Sequence, residues 1–117
     1  MKIPHGVISG RSYLSKGMLI EAKKIAEKNI EILAPIISSD EPFIGIEPSA
    51  ILTFRDEYPE LVSEELVEKS LNIAKNALMI DEFIASEIEG KHIKSDLFTT
   101  EKRLIKLHGH CQQKAVA

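Results

Sequence analysis

The sequence predicts an α/β fold: a small parallel sheet with crossover helices, a Rossmann-like half unit, and one long helix. Three observations carry this. Phe43 to Ile46 is a short run too apolar on both faces for an edge strand, as a buried parallel strand requires. Leu104, Ile105 and Leu107 form a second such run, over Arg103 to Leu107, that stops at Gly109. Between them the apolar residues follow a helical period, and strand, helix, long helix, strand is the succession that joins parallel neighbours by a right-handed crossover. The two strands are expected side by side.

In chain order, residues 1–14 have no sustained period, and Gly6, Gly10 and the polar residues around them mark an irregular lead-in. Residues 15–117 form the single α/β domain. Ser15 is a plausible N-cap for a helix to about Ala34, whose inner stripe is Met18, Ala22, Ile25, Ala26, Ile30 and Leu33. Pro35 ends it. After the turn Asp40-Glu41-Pro42 and the first strand, Pro48 and Ser49 open a helix to about Glu57, because proline in a first turn loses no hydrogen bond. Tyr58-Pro59 closes it. The longest helix is read from Ser63 to Gly90, and at about 1.5 Å per residue it spans roughly 40 Å. Lys91 to Lys102 is a polar connection.

An apolar content of 44% with 28% charged residues suits one soluble domain, and 117 residues are enough for a core. A net charge of -3, with acids and bases interleaved and few aromatics, leaves nucleic-acid binding without support. No apolar run approaches the roughly 20 residues of a membrane span, and the first residues lack a signal-peptide core. The single Cys fits a reducing compartment, and the expected location is cytoplasmic.

Gly109 lets the backbone turn after the second strand, gathering His108, His110 and Cys111 at the strand's carboxyl end, where open α/β sheets bind ligands. Thiolate and imidazole suit zinc or iron, and Cys111 is the candidate metal ligand. A structural zinc site wants four ligands, and the other histidines, His5 and His92, have no motif spacing with these. Glu47, Ser49, Arg55 and Asp56 are a second polar group, at the end of the first strand; Glu47 is placed to orient His110 across the strand ends. The structural alternative is that Ser49 caps a helix and Arg55 pairs with a surface carboxylate, the commoner use of both residues. A nucleophilic pair of Cys111 with either histidine has no orienting third residue or oxyanion-hole signature beside it.

Three stretches, Gly10–Gly17, Gly45–Leu61 with its Glu-Pro-Ser and Arg-Asp-Glu-Tyr-Pro, and His108–Ala115 with its His-Gly-His-Cys, resemble one family. They look like the carboxyl-terminal cysteine-rich (CCG-type) region of FAD-linked oxidase and iron–sulfur fusion proteins of the D-2-hydroxyacid dehydrogenase type. That region is in turn similar to a heterodisulfide reductase subunit built of two α/β units. The resemblance implies that the parent protein carries FAD and iron–sulfur clusters and passes electrons from a 2-hydroxyacid toward this region, from the cytoplasm or the periphery of the inner membrane. It implies Cys111, flanked by His108, His110 and Glu47, as a cluster-binding residue, answered by a Cys-Cys-Gly beyond Ala117. This chain departs from the pattern at Ile8-Ser9-Gly10, where many relatives have Cys-Cys-Gly, at Ala50, where many have Cys, and at Gln112, often His. Neither Ser nor Ala supplies the thiolate an iron site needs, so no cofactor is expected in this fragment itself. Its partners would be the other domains of the parent, with a homo-oligomer as a further arrangement. A cofactor-free docking module is the competing reading.

Overall fold

The computed structural model describes residues 7–111 and 114. Its elements are α1 (Arg11–Ser15), α2 (Leu19–Leu33), β1 (Phe43–Gly45), α3 (Pro48–Arg55), α4 (Tyr58–Leu61), α5 (Glu64–Lys75), β2 (Ala77–Met79), α6 (Ile80–Glu89) and a single 3-10 turn at Ser95–Leu97. The fold class is α/β as read from the sequence. β1 and β2 are parallel neighbours, with Phe43 opposite Ala77 and Gly45 opposite Met79. The crossover between them is α3, α4 and α5.

The second strand is not where the sequence reading put it. Arg103 to Leu107 has no regular structure, and Leu104, Ile105 and Leu107 are 93%, 79% and 92% exposed. The strand beside β1 is instead Ala77–Met79, inside the stretch read as one long helix. That helix is two, α5 and α6. Asn76 ends α5: it leaves helical geometry, its N–H bonds to the Ile73 carbonyl and its side-chain amide to the Asn72 carbonyl at 2.9 Å. A strand of three residues is too short to disturb the helical spacing of the flanking apolar residues, so the stripe reads as unbroken. α1 lies within the predicted lead-in, and Ser15, expected as an N-cap, ends α1 and bonds back to the Arg11 carbonyl. α2 begins only at Leu19, after Gly17 has turned the chain with a left-handed φ of 71°.

The core lies between α2, α3, α4, α5 and β2. Ala26, Ile30 and Leu33 of α2 share one buried cluster with Ile51, Leu52 and Phe54 of α3 and with Tyr58, Ile73, Ala77 and Met79, α2 packing on α4 and α5. Phe54 is the aromatic centre, edge-on to Phe43 at 5.0 Å and tilted against Tyr58 at 4.3 Å. β1 is only half-buried along its length, and α6 has no fully buried residue. The described chain is elongated. Its radius of gyration is 16.0 Å and its longest extent 49 Å, against about 13 Å for a compact domain of this length. Among the described residues no helix is long and apolar enough to cross a membrane.

Candidate functional site

Glu47 leaves β1 and caps α3. Its carboxylate accepts from the backbone N–H of Ser49 at 3.1 Å and of Ala50 at 2.6 Å, and from the Ser49 hydroxyl at 2.7 and 2.8 Å. Pro48 occupies the first turn, where its missing N–H costs nothing. The cap is therefore Glu47 and not Ser49. The Ser49 hydroxyl bond holds the carboxyl below its ordinary value of 4.5, and it prevails over a burial effect of opposite sign. The Ser49 and Ala50 amides and nearby His110 add to it. The structure thus brings Glu47 and His110 within electrostatic reach of each other, at the carboxyl end of β1.

Arg55, grouped with Glu47 in the sequence reading, stands at the far end of α3. Its guanidinium pairs with Glu82 at 2.8 Å, as the surface-pair alternative expected. Asp56 is exposed beside it. Glu82 also reaches back to the Met79 N–H at 2.9 Å and fixes the start of α6. Burial opposes ionisation of Glu82, but the Met79 amide and Arg55 prevail and hold its carboxyl below 4.5.

Both carboxyls are depressed on folding, so their stabilising contribution is present above the unfolded value and disappears as pH falls through the folded one. The melting temperature is expected to fall below about pH 4.5, and a Glu47→Gln/Glu82→Gln variant to show a flatter acid limb. Identical acid limbs for the two proteins, followed by circular dichroism, would refute this.

His108, His110 and Cys111 are exposed on the carboxyl-terminal arm. With Arg103 to Leu107 unpaired, they do not follow a strand end as expected. His92 pairs with Glu87 at 3.2 Å, and His5 lies outside the described residues. Among the described residues no group of three His, Cys, Asp or Glu side chains could hold a metal ion. Cys111 is one thiolate with no second, and Glu47 is committed to the α3 terminus, so this donor set does not fit an iron–sulfur cluster by itself.

The sequence reading missed a buried polar hub around Tyr58. Tyr58, 1% exposed, donates from its hydroxyl to the Ser9 carbonyl at 2.7 Å. The buried Asn29 amide donates to the Tyr58 hydroxyl at 2.8 Å and to the Ile8 carbonyl at 2.6 Å. Arg11 forms an ion pair with Glu57, and its N–H bonds to the Ser9 hydroxyl. Gly10 takes a φ of 74° against Ile25 of α2, where a side chain would be both strained and crowded. The turn Ile8-Ser9-Gly10 is thus pinned by the Glu57-Tyr58 of Arg-Asp-Glu-Tyr-Pro. Asn29 could have signalled it. An amide on the stripe of Ala26, Ile30 and Leu33 needs a partner in the core.

These observations define a small parallel α/β unit with a hydrogen-bonded amino-terminal turn and an exposed, histidine-bearing carboxyl-terminal arm. In sequence it is similar to dehydrogenases of D-2-hydroxyacids. Over 105 residues, 90% of the chain, it is 28% identical to the D-2-hydroxyglutarate dehydrogenase of Escherichia coli (strain K12). Over the same share of the chain it is 23% identical to the protein of that name from Pantoea ananatis. A stretch of 57 residues, 49% of the chain, is 32% identical to that of Haemophilus influenzae. The chain spans 9% of the length of the first two and 6% of the third. No protein-family model matches it, and no solved structure does.

Proposed function

We propose that this chain is a piece of the electron-transfer end of an FAD and iron–sulfur 2-hydroxyacid oxidoreductase. The supporting observation is its similarity, along 90% of its length, to D-2-hydroxyglutarate dehydrogenases of which it spans 9%. In this reading the chain alone turns over no substrate. Cys111, with His108 and His110 beside it and Glu47 near the turn, contributes one donor to a cluster whose other thiolates come from elsewhere in the parent polypeptide. The α/β unit supplies a rigid mount. Asn29, Tyr58 and the Arg11–Glu57 pair hold the turn at residues 8–10, and Glu47 fixes the loop after β1.

The test uses the parent protein containing this segment, reconstituted with iron and sulfide. A thiolate-to-iron absorption band should appear, and Cys111→Ser should reduce it while circular dichroism stays unchanged. A band untouched by that substitution removes Cys111 from the site. No band at all removes the cluster. The second reading is a cofactor-free docking module of the same parent. Ile8, Ser9 and Ala50, where many members of the resembled family carry Cys, favour it. It predicts a parent without the band whose domains separate when the surface of this unit is altered.

A further inference from the structure

β1 pairs with β2 on one side, and among the described residues no strand covers its other edge. An open edge presents unpaired N–H and C=O groups that template another strand. The same chain carries a segment suited to it. Leu104, Ile105 and Leu107 are apolar on both faces and 79–93% exposed. Charge favours the match: β1 is flanked by Asp40, Glu41 and Glu47, whereas the arm carries Lys102 and Lys106, with Arg103 paired to its neighbour Glu101. The chain's own arm does not fill the edge. It brings His110 near Glu47 and still leaves Leu104 to Leu107 in solvent.

We propose that the arm Lys102–His108 of one copy adds as a third, parallel strand to the open edge of β1 in a second copy, and that the exchange is reciprocal. In register, Leu104 lies beside Phe43 and Ile105 beside Ile44, which places Lys102 by Glu41 and His108 by Glu47. Backbone bonds supply the affinity and the Lys102–Glu41 pair sets the direction. This inference stands apart from the cofactor reading, since it involves no metal and no residue of the parent outside this chain.

The experiment is light scattering on the 117-residue chain, over about 1–200 μM, concentrations that report dissociation constants in the micromolar range. A discrete dimer is expected. Lys106→Pro, which removes the N–H that would donate to the outward-facing Ile44 carbonyl from a segment outside the core, should leave a monomer with the wild-type circular dichroism spectrum. Lys102→Glu should weaken the dimer by about tenfold and Glu41→Lys added to it should restore binding. Amide exchange should show Arg103 to Leu107 protected only in the dimer. A monomer throughout overturns the proposal, including one whose arm is protected on its own β1. So does a dimer that survives Lys106→Pro, or undefined aggregation in place of a dimer.

Discussion

Replacing Tyr58 by Ala is expected to destabilise the fold by about 3–5 kcal/mol, much of the roughly 5–15 kcal/mol that holds a domain of this size together. The ring is 1% exposed and packs on Phe54, and its hydroxyl is the acceptor for Asn29 and the donor to Ser9. Removing it leaves a cavity and an amide short of a partner. Tyr58→Phe separates the two effects: it keeps the packing, strands the Ser9 carbonyl, and should cost about 1–3 kcal/mol in urea unfolding. The pH dependence carries the same signature. Burial pushes the Tyr58 hydroxyl up to about 12, and the Asn29 bond pulls the other way without reversing it. A folded value raised above the ordinary 10 means a contribution that is intact below pH 10 and lost as pH rises to about 12. The wild type should lose stability across that window, and Tyr58→Phe should show less of that loss. An alkaline limb unchanged by the substitution would refute a buried, protonated Tyr58.

Gly45→Ala is expected to cost about 1–3 kcal/mol, and larger side chains more. A Cβ at Gly45 would stand 2.4 Å from the Cβ of Ile51 and 2.8 Å from its Cγ1, so β1 and α3 could not keep their approach. The nearest atom is the stem of Ile51 and not its flexible end. Ile51→Ala therefore relieves the contact only in part, and the double variant should remain well below the wild type. Because Gly45 faces Met79 across the sheet, the displacement should also open the β1–β2 ladder. Faster amide exchange in Ala77 to Met79 is the accompanying readout. A Gly45→Ala protein within about 0.5 kcal/mol of the wild type would show that the close packing is not required.

How much of this was readable beforehand differs element by element. β1 was legible because a short apolar run between Pro42 and Glu47-Pro48 has little else to become. The crossover and the parallel sheet were legible as a class, yet the partner strand was not. Leu104 to Leu107 looks more like a strand than Ala77 to Met79 does, and only Asn76 interrupts the helical stripe before β2. Glu47 stands out in the sequence at the end of β1, but its main task, capping α3, depends on the Ser49 and Ala50 amides that the fold aims at it. The Asn29, Tyr58 and Ser9 hub stayed hidden because its members are 20 to 49 positions apart in sequence, beyond any local periodicity.

By itself the sequence determined the α/β class, the position of β1, the helical nature of α2 and α3, and the similarity to D-2-hydroxyglutarate dehydrogenases. These depend on local propensity, on the period of apolar residues and on residue identity, all of which a linear string records. Only the tertiary structure decided which apolar run became the second strand. A strand is made by its neighbour: Ala77 to Met79 lies against β1 with α3 packed on it, whereas Arg103 to Leu107 meets no edge among the described residues. That choice turns on which backbone groups find partners in space, and it also determines why Cys111 sits on an exposed arm instead of at the end of a strand.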